Sequence, residues 1–179
     1  VVVVPGVPAD YNYFSERGSQ KDAGANRVVV HGDIKTNCAG LLNSYNSCIG
    51  LDGTLYQFKP DGRQAPHAGY LNSVADGVVL AGVDNYRVGG GWSEVPINEA
   101  TPAQLETLAR FIYAKNIATG LEHTFARHPD TDQGAGRRFV HEGGTPATDE
   151  YVRARVAELR TKGTTEPPAV KLKQLPKLV

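Results

Sequence analysis

Five histidines define the chemistry open to this sequence, and they are unevenly spaced. His31 closes the run Val28-Val29-Val30, and Gly32-Asp33 turns the chain immediately afterwards. Three β-branched residues in a row read as a buried strand. A neutral imidazole at the end of a rigid strand is well placed to hold a metal ion. An isolated histidine serves equally well as a hydrogen-bonded core residue, so His31 needs partners before it carries a function. His67 lies in the loop Ala65-Pro66-His67-Ala68-Gly69-Tyr70-Leu71-Asn72, and His123, His128 and His141 fall in an irregular stretch over residues 118–144. His141 follows Arg137-Arg138-Phe139-Val140 and reads as structural or exposed. The same stretch holds Glu122, Asp130 and Asp132, although Asp-rich loops are usually solvated turns.

These residues must be positioned by strands and helices, and the patterning places several. Arg27–His31 is the first strand. Asp52-Gly53 between the apolar runs Tyr45–Leu51 and Thr54–Phe58 is a hairpin turn, because glycine tolerates φ > 0. Gly77–Gly82 reads as a second buried strand. Thr101-Pro102-Ala103-Gln104 starts a helix: Thr caps, Pro takes the first helical position and Gln completes a capping box. Leu105, Leu108, Ala109 and Ile112 give that helix one apolar face and carry it to about Asn116. A last helix runs from about Asp149 to Thr161, with Val152, Val156 and Leu159 on its buried face and Gly163 as its stop. Residues 36–44 form a short helix or a loop, Val1–Val4 an edge strand or arm, and residues 9–26 a surface loop. Residues 84–100, with Gly89-Gly90-Gly91 and Trp92, read as a lid over a cleft or a plain connection.

The bulk numbers bound the rest. The 179 residues suffice for one domain with a sizeable core. Lys+Arg and Asp+Glu both count 19, which argues against gripping nucleic acid by charge. No apolar run reaches the length of a membrane span, and no signal-peptide pattern is visible. The absence of Met at position 1 reads as a processed or excised piece whose targeting segment would lie outside it. Residues 1–163 are expected to form the domain, and 164–179, Lys- and Pro-containing and unpatterned, a linker or tail. Cys38 and Cys48 are as well placed to be free thiols as to form a bridge.

The order of these pieces is specific: strand-His31, Tyr45-x-x-x-Ile49-x-x-Asp52-Gly53-Thr54, His67-Ala68-Gly69, a strand, a capped helix and a His-rich segment. It resembles the zinc-dependent N-acetylmuramoyl-L-alanine amidase family, which includes amidase-type phage endolysins and animal peptidoglycan recognition proteins. The resemblance covers roughly residues 27–140. It implies an α/β fold, a central mixed sheet flanked by helices. It also implies a zinc site of two histidines and a Cys or Asp, with the fourth position left to water. His31 matches the first ligand. His123, in Gly120-Leu121-Glu122-His123, is expected to be the second, with His128 as its rival. Asp132, in Asp130-Thr131-Asp132-Gln133-Gly134, matches the third.

The implied reaction cuts the amide between N-acetylmuramic acid and L-alanine in cell-wall peptidoglycan, and needs a group that moves a proton to the leaving amine. Tyr45, Glu122 and Asp130 are the candidates. His67, Tyr70, Asn72 and Trp92 are expected to line the substrate groove. Two positions depart from the family pattern. Asp130 stands where a Lys often precedes the third ligand, and Val79 lies in the strand where some members carry a Glu. A peptidoglycan-binding module that has lost catalysis, or a phage tail part on the same scaffold, are therefore the rival readings. The expected setting is extracytoplasmic, at the cell wall, as a monomer, with any wall-binding module separate.

Overall fold

The computed structural model describes residues 19–33, 35–41, 44–59, 62–83, 99–131 and 143–162. Five strands form one sheet in the order β3-β2-β4-β1-β5. They are β1 (Arg27–Asp33), β2 (Ser47–Ile49), β3 (Leu55–Gln57), β4 (Ala75–Ala81) and β5 (Thr124–Arg127). β1 runs parallel to both β4 and β5, β2 runs parallel to β4, and β3 is the antiparallel edge. Two helices, α1 (Pro102–Thr119) and α2 (Pro146–Thr161), complete the frame.

The sheet is covered on both sides, so its central strands are apolar without alternation. Val28 and Val30 of β1 and Val78 and Leu80 of β4 pack against Leu108, Ala109, Ile112 and Val152 of the two helices. The alternate residues face the other way. Val29 meets Ala68, Leu71 and Ala75, and Val79 and Ala81 meet Cys38, Leu41, Cys48 and Phe58. Both helices lie on one face, and the opposite face is covered by loops with 3-10 turns at Cys38–Leu41 and Gly69–Ser73. The mixed sheet flanked by helices is the expected architecture, and among the described residues both helices pack on the same face. The loop side stays open enough to admit polar side chains.

The local signals behave as the sequence suggests. Asp52-Gly53 is the β2–β3 turn, with Gly53 at φ +79° and Asp52 accepting from the Thr54 amide and hydroxyl at 2.9 Å each. The Thr101/Gln104 capping box is present. α1 continues to Thr119 and stops at left-handed Gly120, whereas α2 begins at Pro146 under the cap residue Thr145, three residues before the expected start. Cys38 and Cys48 form a disulfide, which ties the first 3-10 turn to β2. Val1–Val4, most of the loop at 9–26, residues 84–98 with Trp92, Gly163 and the 164–179 tail lie outside the described residues. No helix among the described residues is long and apolar enough to cross a membrane.

Two buried polar anchors fix the frame. Gln104 is fully buried, and its side-chain amide donates to the Ile49 carbonyl (3.0 Å) and the Ala81 carbonyl (2.9 Å). One residue therefore caps α1 and closes the ends of β2 and β4. At the opposite end of the sheet, Asp76 is buried between Lys21 and Lys115, the latter 3.1 Å away. Burial alone would raise the Asp76 carboxyl, but the two ammonium groups hold it well below the usual carboxylate range.

Gln104→Leu should cost about 3 kcal/mol in urea unfolding, because two buried carbonyls lose their donor and the helix loses its cap. A loss under about 1 kcal/mol would mean that other donors reach them. Asp76→Asn should cost about 3–5 kcal/mol at neutral pH by stranding two buried cations. Its folded pKa is depressed, so the wild type's extra stability is present above the unfolded value of about 4 and is lost as pH falls below it. Acid unfolding curves of the two proteins should therefore converge toward low pH.

Candidate metal centre

β1 delivers His31 to the carboxyl end of the sheet, on the loop-covered face that Val29 shares by strand alternation. Its ring is buried. β1 runs on through Gly32 to Asp33 instead of turning after His31, and Gly32 lets the segment at Val83 pass close by, since a Cβ there would lie 1.6 Å from the Val83 carbonyl oxygen. Register decides which later histidine joins it. Arg27 pairs with Thr124 and Val30 with Arg127, so the residue beside His31 is His128. The two imidazoles lie 4.4 Å apart, centroid to centroid, at 39°.

His128 is buried at the start of a 3-10 turn, His128–Asp130. The turn is clamped by Arg127, whose guanidinium meets both Asp130 oxygens (2.7 and 2.8 Å) and also donates to the Gly144 carbonyl (2.9 Å). Thr131 closes the turn by donating its amide (3.1 Å) and hydroxyl (2.7 Å) to the His128 carbonyl.

Two more side chains reach His31. The Tyr45 ring lies 5.1 Å from it, where the chain enters β2. His67 Nδ1 lies 3.1 Å from His31 Nε2, the rings nearly perpendicular at 85°. Burial first, and then the neighbouring His31, push the His67 imidazole down to about 3, so it is neutral at any working pH. His67 Nε2 is buried without a hydrogen-bond partner.

His123 is elsewhere, and its expected role as second ligand is corrected. It precedes β5 at the other end of the strand, five residues from His128, or roughly 16 Å along the sheet. Asn116 Oδ1 accepts from its backbone amide (2.7 Å) and sits 3.1 Å from its Nδ1. It is a buried structural histidine, its pKa lowered chiefly by burial. Glu122 is corrected with it: the side chain is largely exposed, ion-paired to Arg160 at 3.0 Å, at the same remote end. Asp130 is near the site, and both of its oxygens are engaged by Arg127, which holds the turn.

Of the groove residues, Tyr70 is exposed and lines a groove of about 740 Å³. This groove includes Val29 and Ala126, each two residues before a histidine of the cluster. Asn72 turns its carbonyl oxygen inward, accepting from the His67 (3.1 Å) and Ala68 (2.8 Å) amides, and so fastens the loop. Asp132, Trp92 and His141 lie outside the described residues. Among the described residues, no group of three His, Cys, Asp or Glu side chains is arranged to hold a metal ion. The neighbouring His31 and His128 imidazoles are of the donor type that a zinc site takes, and Asp132 follows Thr131 directly in the chain.

Sequence reasoning missed Arg127 and Gly77. The spacing Arg127-x-x-Asp130 suits a clamped turn, and a glycine inside the strand Ala75–Ala81 signals close approach of another group.

With His128 taken as a ligand, Arg127→Ala should weaken zinc binding about 10-fold or more, because the clamp fixes the turn that carries His128. Titration against a chelator measures this. Unchanged affinity in a folded variant would show that the turn holds His128 without the clamp.

No curated protein matches the chain by sequence. Solved structures share its fold at low identity. N-acetylmuramoyl-L-alanine amidase LysC from Clostridium intestinale URNW is 20% identical, with 74% of this chain and 85% of that chain covered and a TM-score of 0.56. PGRP-Hd from Alvinella pompejana is 16% identical, with 78% and 87% covered and a TM-score of 0.52. Peptidoglycan recognition protein-LE, solved in complex with tracheal cytotoxin, a monomeric diaminopimelic acid-type peptidoglycan, is 12% identical, with 88% and 92% covered and a TM-score of 0.53. The sequence profile described as N-acetylmuramoyl-L-alanine amidase matches residues 10–150, most of the chain, and the chain therefore belongs to the N-acetylmuramoyl-L-alanine amidase family.

Proposed function

We propose that this chain is a zinc-dependent amidase that hydrolyses the bond between N-acetylmuramic acid and L-alanine in cell-wall peptidoglycan, acting outside the cytoplasm as an endolysin or autolysin. The observation that carries the reading is the approach of His31 and His128 at the carboxyl end of adjacent parallel strands, with Tyr45 against His31. His31 and His128 would hold the ion, with Asp132 as the third donor. Bound there, zinc supplies a Lewis acid that polarises the scissile carbonyl and acidifies a water. Tyr45 is left as the proton-handling group of the cluster. Its phenol is the right chemistry to donate a hydrogen bond to the developing oxyanion or to the leaving amine. In the overall step water adds to the lactyl carbonyl, the C–N bond breaks, and the amine of L-alanine leaves with a proton. The groove lined by Val29, Tyr70 and Ala126 offers room for the peptide stem next to the cluster. The peptidoglycan fragment held by one structural relative supports the same ligand class.

One observation favours a second reading, a peptidoglycan-binding module without catalysis. Val79 pairs with His31 in the register, and it is buried and apolar where some amidases carry a Glu.

Purified protein should contain about one zinc per chain and release free amino ends from cell wall. His31→Ala and His128→Ala should each lose the metal and cut the release at least about 100-fold, whereas His123→Ala should keep the metal and lose only stability. Tyr45→Phe should retain zinc while losing rate. Zinc retained by His128→Ala but lost by His123→Ala would overturn the site. Muropeptide binding without release, in zinc-loaded protein, would establish the binding module instead.

A further inference from the structure

Gly77 sits in the middle of β4, on the loop-covered face, paired with Val29. A Cβ at that position would lie 2.4 Å from His67 Cγ, 2.6 Å from Cδ2 and 2.8 Å from Nδ1. These atoms include the root of the imidazole, so no swing of a flexible tip relieves the clash; the whole ring must leave. Neither wall is free to move. On the loop side, the His67 amide donates to the Ala65 carbonyl and to Asn72 Oδ1, and the Ala68 amide donates to the same oxygen. On the strand side, buried Asn46 grips Gly77 twice: its amide donates to the Gly77 carbonyl (2.9 Å) and its side-chain oxygen accepts from the Gly77 amide (2.8 Å). Asn46 Nδ2 reaches on to the Arg63 carbonyl at 2.8 Å, so the same residue ties down the segment leading to His67.

The consequence falls on His31. Its Nε2 lies 3.1 Å from His67 Nδ1, with the two rings nearly perpendicular, so the His67 ring bears directly on how the His31 imidazole is turned. A ligating histidine is commonly oriented by a hydrogen bond from its other ring nitrogen. We propose that Gly77 is a positioning residue of the metal centre: the bare face it leaves in β4 seats the His67 ring, and His67 in turn fixes the rotation of His31. This rests on the function proposed above, in that His31 is taken as a ligand.

A double-mutant cycle tests it in full-length protein, with zinc affinity and thermal unfolding of the metal-free form as two readouts. Gly77→Ala should weaken zinc about 10- to 100-fold and lower the unfolding midpoint by more than about 5 °C. His67→Ala should weaken zinc by a similar factor. In the double variant the second change should add nothing to the first in zinc affinity, and it should recover most of the midpoint lost in Gly77→Ala. Additive losses in either readout, or a double variant as unfolded as a failing Gly77→Ala, would overturn the proposal, because the glycine would then serve something other than His67. Wild-type protein that binds no zinc sinks both the metal function and the proposed effect on His31, while the unfolding cycle still reports whether Gly77 seats the ring.

Discussion

The parallel pairing of β1 with β4 on one side and β5 on the other is the constraint from which the candidate site follows. In parallel strands with side chains alternating between faces, a register fixes which residues stand together. With Arg27 opposite Ala75 and Thr124, residues 27, 29 and 31 share a face with 75, 77 and 79 and with 124 and 126. His31 and His128 then meet at the carboxyl end, where open parallel sheets place their ligands. A slip of one residue in β5 would turn His128 toward the helices and bring Arg127 to the loop side. The register is held by the helix face: Phe125 packs with Ile112 and Val152, and Arg127 anchors to Gly144.

The two ends of this sheet carry different buried polar groups. At the amino end, Asp76 is charged and buried against two lysines, an arrangement that stabilises only while every partner is present. At the carboxyl end the imidazoles of His31, His67 and His128 are buried beside the guanidinium of Arg127, which pairs with Asp130. His123 belongs by contact to the first end, through Asn116 and its nearness to Lys115 and Asp76, which explains how one short segment carries two buried histidines of different kinds.

Much of the frame was legible because its signals are local. The capping box at Thr101, the Asp52-Gly53 turn and the valine run before His31 each act within a few residues of chain. The choice between His123 and His128 was not local. It depends on where a four-residue strand begins, and Thr124-Phe125-Ala126-Arg127 has no periodicity that marks its first residue. Glu122 was misplaced for the same reason: a carboxylate near a histidine in sequence says nothing about the arginine that claims it in space. The Cys38–Cys48 bridge was undecidable from spacing, and is settled only when the 3-10 turn folds back onto β2.

Residues without functional groups shape the site as much as those with them. Gly77 and Ala126 flank Val29 in the register, so the sheet beneath the cluster presents little side chain, and the histidines can lie close to the backbone. Val79 continues that floor beside His31. A carboxylate at this position would be a buried charge among Cys48, Phe58 and Ala81 and would need its own partner. The same apolar packing around Val79 carries Tyr45, which enters from the edge of the cluster and lies against His31.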